Sequence, residues 1–227
     1  MNRRDFLKTS ALGVLAAGAA SVPGCKSVTS RSAFDTIIKN GTIVDGTGKP
    51  AVKGDVGIRD GKIAAIGTDL GSNADKIIDA NGCVVSPGFI DIHTHTDTNL
   101  LQAPKGDSRI FQGITSEVGG NCGYAPFVYS DQAWKEREGT ERLGFPAWRN
   151  IDGFYDTLEK NGIGINYSSL VGHGDVREAA VGPYNVPSSM DDIKKMCSIL
   201  DEQLEMGAIG LSFGLEYAPG CYSDTRE

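Results

Sequence analysis

Four apolar segments recur in the second half of the chain: Gly88–His95 (GFIDIHTH), Gly113–Gly123 (GITSEVGGNCG), Gly164–Gly174 (GINYSSLVGHG) and Ala208–Tyr217 (AIGLSFGLEY). The intervals between the later ones read as helices, around Asp131–Arg142, over Asn150–Asn161 and over Ser189–Gly207. In the last helix Ile193, Met196, Cys197, Leu200 and Leu204 recur at three- and four-residue spacing, which predicts an apolar face. Strands that alternate with helices imply parallel β/α units, because a parallel neighbour is reached only by a crossover. The first segment reads as a strand buried on both faces. The fold class is α/β, and four such units amount to the first half of a (β/α)8, TIM-like barrel, which takes about 250 residues when whole.

Before Pro87 the rhythm differs. Short apolar or alternating runs are punctuated by Asn40-Gly41, Asp45-Gly46, Asp60-Gly61 and Asn81-Gly82, the local signature of hairpins. A small β-sandwich or β-roll over residues 34–86, incomplete as a sandwich and preceding the barrel half at 87–227, is the expectation. Residues 26–33 are polar and turn-prone and read as a linker. Residues 1–25 place Arg3-Arg4 ahead of Phe6-Leu7 and a short Ala/Gly-rich apolar stretch, which resembles a twin-arginine export signal. The following SVPGC resembles a lipobox with Cys25 as the lipidated residue, although Pro23 departs from the usual pattern and simple cleavage nearby is the alternative. The stretch is too short and too rich in small residues for a convincing transmembrane span. An exported protein, periplasmic or anchored by lipid, is expected.

The formal net charge is −7 and no Lys/Arg cluster exists, which excludes nucleic acid as a partner. Apolar residues at 40% and charged residues at 22% are those of a globular chain with a core, not a disordered one. Five cysteines, Cys25, Cys83, Cys122, Cys197 and Cys221, are too sparse for a disulfide scaffold, so each is judged by its setting. Cys83 in a strand and Cys197 on an apolar helix face read as packed residues.

Two of the three histidines, His93 and His95, are two apart in the first strand segment. Residues so spaced share a face of a strand, and at the C-terminal end of a barrel strand they would form a two-ligand platform for zinc. Zinc needs at least three protein ligands, so the pair alone reads equally as a half-site or as two histidines in a strand. Asp91 and Asp97 bracket it and could orient the imidazoles or add a ligand. Gly119, Gly120 and Gly123 would let the backbone beside Cys122 approach a buried centre. By itself Cys122 reads as a candidate thiolate, a buried apolar residue or half of a disulfide. His173 reads either as a group at the barrel mouth or as a structural histidine, and Arg177 either as an anion-binding group or as a solvated helix-start residue.

The stretch DANGCVVSPGFIDIHTHTD (79–97) resembles the first barrel strand of the amidohydrolase superfamily. GITSEVGGNCGYAPF (113–127) is similar to the second-strand motif of its D-aminoacylase family, and NYSSLVGHGDVREAAVG (166–182) and GAIGLSFGLEYAPGCYSDTRE (207–227) resemble that family's third and fourth strands. The resemblance covers about residues 34–227. It implies a zinc centre of one or two ions, with His93 and His95 at one position and Cys122 as a thiolate able to bridge both. It also implies hydrolysis of the linear amide of N-acyl-D-amino acids, a small-molecule substrate. Asp97, His173, Glu216 and Tyr217 are then candidate pocket or supporting residues; Glu216 stands where related amidohydrolases can carry a bridging carboxylated lysine. The family's remaining histidine ligands and its catalytic aspartate would fall beyond Glu227, so the catalytic residue is unassigned and these 227 residues alone are expected to be inactive. A cyclic-amide hydrolase of the dihydroorotase or hydantoinase kind, a deacylase for acidic D-amino acids, a D-amino-acyl dipeptidase and a non-catalytic exported lipoprotein are the alternatives. The oligomeric state is not readable.

Overall fold

The computed structural model describes residues 32–137 and 148–227. The export signal, Cys25 and most of the linker lie outside the described residues. The chain divides into two compact units, the first running to Val85 and the second from Ser86 to Glu227.

The first unit is one mixed sheet. Its strands are β1 (Phe34–Ile43), β2 (Val52–Arg59), β3 (Lys62–Gly67), β4 (Ala74–Asp79) and β5 (Val84–Val85). The lateral order is β3-β2-β1-β4, with β5 also on β1. Among the described residues these strands form a single layer, and a second layer of the expected, incomplete sandwich is not among them. The reason is that β4 and β5 both run parallel to β1, with Thr36 opposite Lys76 and Thr42 opposite Val84, instead of folding back as a second sheet. Of the four turn dipeptides, Asp60-Gly61 closes a tight hairpin between β2 and β3, both residues at positive φ (51° and 69°). Asn40-Gly41 lies inside β1 as a bulge, with Asn40 at φ 62° and the register slipping between Ile38 and Gly41. Buried Asp55 secures the bulge by accepting the Asn40 amide at 2.9 Å, while its other oxygen takes the Leu70 amide at 3.1 Å. Asn81-Gly82 is an excursion between two strands that both continue along β1.

In the second unit the strands β6 (Phe89–Asp91), β7 (Ile114–Gly119) and β8 (Asn166–Ser169) pair in parallel in that order. After a one-residue break at Leu170, β9 (Val171–Gly172) pairs in parallel with β10 (Leu211–Ser212). Between them run α1 (Asn99–Gln102), α2 (Asp107–Ile110), α3 (Asp131–Arg137), α4 (Ile151–Asn161), α5 (His173–Ala180) and α6 (Met190–Glu205), and a 3-10 turn follows at Gly220–Tyr222. The sequential parallel order is that of β/α units. The helix expected over Asp131–Arg142 is seen over Asp131–Arg137, and residues 138–147 lie outside the described residues.

The helix ends follow side-chain chemistry. Asn150 caps α4 by accepting the Gly153 amide, and Gly162, at φ 74°, ends it by donating to Leu158 and Glu159. Ser189 and Asp192 form a reciprocal capping box on α6. The core packs around Phe154, whose ring lies 5.1 Å from Trp148, 6.0 Å from Phe127 and edge-on to Tyr167 at 6.0 Å. Such rings each contribute roughly 1.5–3 kcal/mol on burial.

Two apolar expectations are corrected. On α6 the buried positions are Met196 and Gln203, while Cys197 and Leu204 are exposed. Gln203 goes inside because its carbonyl accepts the Ile151 amide at 2.9 Å, satisfying a free donor at the start of α4, and this rotates Cys197 outward. Cys83 is likewise exposed, in the turn ahead of β5. In the described residues the first barrel-type strand, expected to be buried on both faces, leaves Phe89, Ile90 and the following Ile92 63%, 66% and 72% exposed, and β7 is the strand it pairs with. No helix among the described residues is long and apolar enough to cross a membrane.

Candidate metal centre

The regular part of the first strand ends at Asp91, so His93 and His95 sit just past its C-terminal end and not within it. The two-residue alternation nevertheless persists. The Thr94 amide still bonds Val118 O at 3.1 Å, continuing the ladder to β7. Thr94 and Thr96 turn inward, where the Thr96 hydroxyl donates to Glu117 at 2.6 Å, and the two imidazoles project together on the open side. Asp91 accepts the His93 amide at 3.1 Å, holding the turn at the strand end. Buried Glu117 is also held by Arg109 Nε at 2.7 Å, so it braces the histidine segment from behind.

The thiolate candidate comes from the loop after β7. Cys122 is at φ 56°, a left-handed conformation uncommon for a residue with a side chain. It is fixed there by its neighbours. Gly123 donates to Ser212 Oγ at 3.0 Å, the same hydroxyl donates to Gly120 O at 2.5 Å, and Gly174 donates to Gly123 O at 2.9 Å. The Ala125 amide bonds Asp175 Oδ2 at 2.5 Å. Gly120 and Gly123 are glycines because a Cβ at either would press on the backbone, of Leu170 and of Gly214 respectively, in addition to their φ of 68° and 79°. The glycines thus serve packing of the loop against the third and fourth strands.

The result is convergence. One donor atom from each of His93, His95 and Cys122 lies within 4.8 Å of the others, and Cys122 Sγ is 3.3 Å from His93 Nε2. The two imidazole rings stand 5.6 Å apart, edge to face. Zinc ligands at about 2.1 Å (N) and 2.3 Å (S) in a tetrahedron lie roughly 3.6 Å from each other, so this donor set fits such an ion. Among the described residues no other group of three His, Cys, Asp or Glu converges in this way.

Asp97 belongs to the surroundings of this centre. Its Oδ1 accepts from Gly120 N at 3.0 Å and from Tyr167 Oη at 2.6 Å. Burial, then the Asp97 charge, push the Tyr167 hydroxyl far above its ordinary range, so it remains a proton donor. A cavity of about 570 Å³ opens beside His95, walled by Asp97, Tyr124, Tyr129, Asp175 and Glu178. Burial raises the Asp175 carboxyl well above the usual range, reinforced by Glu178 and Asp97 and opposed by the Ala125 amide.

His173, Glu216 and Tyr217 fall in different settings. His173 is buried at the first position of α5, its ring 5.0 Å from Phe213. Its Nε2 lies 3.3 Å from Glu227 Oε1, but the pair is not aligned as a hydrogen bond, and neither ring nitrogen has one. Burial lowers its pKa, opposed by Glu227, which favours the neutral ring. Arg177, far from solvated, is fully buried and donates to Pro219 O, Val186 O, Ser188 and Glu227. The fourth strand stops at Ser212, so Glu216 and Tyr217 sit in the turn beyond it; both are exposed, and the Tyr217 ring is 6.3 Å from that of Tyr124. Sequence reasoning missed Tyr167, Asp175, Ser212 and Glu117. An acid in the first turn of α5 was a signal for Asp175; a lone serine or a tyrosine in a strand offered none.

A donor cluster carried on the loops that follow the first two of a series of parallel strands makes a candidate metal site on a β/α fold. The pattern described as "Amidohydrolase family" matches residues 76–158, and that of the "Urease alpha-subunit, N-terminal domain" matches residues 16–88. The chain is 37% identical over 198 residues to an N-acyl-D-glutamate deacylase of Alcaligenes xylosoxydans xylosoxydans, covering 86% of this chain and 40% of that one. Among solved structures, the N-acyl-D-glutamate deacylase of Bordetella bronchiseptica, complexed with zinc and a phosphonate mimic of the tetrahedral intermediate, superposes with a TM-score of 0.75 at 35% identity. That match covers 84% of this chain and 40% of the other. A D-aminoacylase studied for its binuclear metal centre gives a TM-score of 0.73 at 35% identity, covering 85% and 41%. Over about five sixths of its own length the chain is similar to the D-aminoacylase family of the amidohydrolase superfamily. It spans about 40% of the length of the relatives it matches.

Proposed function

We propose that the protein is a zinc-dependent hydrolase of linear amides that removes the acyl group from N-acyl-D-amino acids. The reading is carried by one observation: donor atoms of two imidazoles and a cysteine sulfur from consecutive strand ends lie within 4.8 Å of one another. Zinc bound there would lower the pKa of a bound water to about 7 and polarise the substrate carbonyl. The residues of this chain contribute the cradle. His93 and His95 are presented side by side by the Thr94/Thr96 alternation, and Cys122 is held in a left-handed turn by Ser212, Gly174 and Asp175. Further ligands and the proton-transferring carboxylate belong, on this reading, to the part of the protein outside these 227 residues, in the second half of a (β/α)8 barrel, and the chain alone is inactive. A centre of one or two ions follows from the same reading, since a thiolate can bridge. Export, with Cys25 lipidated, is proposed from the Arg3-Arg4 and SVPGC segments.

The test is an assay of the whole protein, loaded with zinc, for release of free D-amino acids from N-acetyl-D-amino acids. Turnover that is lost in Cys122→Ala supports the reading. Hydrolysis of hydantoins or dihydroorotate in place of the linear amides would overturn it.

A further inference from the structure

The two ligand-bearing segments meet through Asn121 Nδ2, which donates to Thr94 O at 3.2 Å, and through Asp97, the contact that also reaches the third strand. Asp97, two residues after His95, places its Oδ1 between the Gly120 amide, two residues before Cys122, and the hydroxyl of Tyr167 on β8, at 3.0 and 2.6 Å. Three successive parallel strands are thereby tied together at one oxygen. The space is fitted to the contact, because a Cβ on Gly119 would overlap both the Tyr167 hydroxyl and, at 2.5 Å, Asp97 Oδ1. Asp97 is itself at φ 22°, outside the comfortable range for a side-chain-bearing residue. The Tyr167 ring is locked edge-on against Phe154 in the core, so its hydroxyl is a fixed donor.

We propose that Asp97 and Tyr167 are positioning residues of the metal centre: the Tyr167 hydroxyl, through Asp97 Oδ1 and the Gly120 amide, sets the distance between the His93/His95 pair and the Cys122 sulfur. Neither residue contacts the ion on this account. The hydroxyl orients the carboxylate, and the carboxylate holds the left-handed turn that aims the thiolate. Partners that orient metal ligands in this way typically contribute ten- to a hundredfold in metal affinity. The inference rests on the zinc reading above and concerns binding, not turnover.

The test measures zinc affinity by competition with a chelator, and the thiolate-to-cobalt charge-transfer absorption of the cobalt(II)-substituted protein, in the whole protein and its variants. Tyr167→Phe keeps the ring and removes the hydroxyl. The expected result is a ten- to a hundredfold weaker zinc affinity with a weakened or shifted charge-transfer band. Asp97→Asn, whose amide oxygen can still accept both bonds, is expected to retain most of the affinity that Asp97→Ala loses. Wild-type affinity and an unchanged band in Tyr167→Phe would overturn the proposal, whatever happens to its melting temperature. So would equal losses in Asp97→Asn and Asp97→Ala, since they would mean that the charge itself touches the metal. If Tyr167→Phe does not fold, the Asp97 pair decides. A wild-type protein that binds zinc through the thiolate but releases no D-amino acid overturns the deacylase reading and leaves this one standing.

Discussion

Cys122 holds a left-handed backbone that costs a non-glycine residue about 1–3 kcal/mol, a strain retained where the surroundings over-determine it. Here the surroundings are Ser212, Gly174, Asp97 and Asp175, and the side chain so displayed is the one a metal needs. Cys122→Gly is therefore expected to do two opposite things: raise the stability of the metal-free chain by up to about 1 kcal/mol and abolish zinc uptake at this centre. Urea unfolding in the presence of a chelator, together with zinc content by elemental analysis, checks both. Asp175 gives a pH signature. Its carboxyl titrates higher in the folded than in the unfolded chain, so the folded state binds more protons and stability falls as pH rises from about 3.8 through the raised value. Asp175→Asn keeps an oxygen for the Ala125 amide and removes that slope. Relative to the parent, the variant is expected to gain melting temperature at pH 7 that it does not show at pH 4.

At the scale of elements, α5 is the organiser. Its first turn supplies the Gly174 amide and the Asp175 carboxylate to the cysteine loop, and its Arg177 gathers the Pro219 turn, Val186, Ser188 and Glu227. Removing one member of a buried ion pair strands the other, which typically costs about 3–5 kcal/mol. Arg177→Met is expected to fall in that range by urea unfolding; a change under about 1 kcal/mol would show the cluster to be dispensable. The cap of α6 is a smaller contribution, with Ser189→Ala expected to cost about 1 kcal/mol. Legibility in the sequence follows the same division. Helix ends at Asn150, Gly162 and Ser189 rest on contacts a few residues away and could be read from local composition. Asn40-Gly41 could not, because the same positive-φ pair serves a hairpin or a bulge, and the choice depends on whether the chain reverses to pair with itself. Gln203 inside and Cys197 outside α6 was hidden for a similar reason: the partner that draws Gln203 inward, the Ile151 amide, is 52 residues away.

For the whole molecule, the candidate metal centre joins segments 29 residues apart in a single unit of the chain, so metal binding there would be coupled to the folding of that unit. Zinc at a hundredfold its dissociation constant is expected to add about 2.7 kcal/mol to stability, and the shift in calorimetric midpoint should vanish in Cys122→Ser. His93 and His95 were legible as a pair because alternation survives past the formal end of the strand. Cys122 was legible as a candidate ligand through its resemblance to a known motif, not through its spacing from the histidines. Sequence by itself determined the β/α rhythm, the paired imidazoles, the glycines that admit a tight loop and the helix caps, since each rests on periodicity or on contacts within a few residues. Tertiary structure alone decided that the first unit is one sheet, that Arg177 and His173 turn into the protein, and that Tyr167, Asp97 and Ser212 hold the cysteine loop. Those outcomes depend on which distant backbone groups remain unsatisfied once strands and helices pack, and local composition carries no record of them.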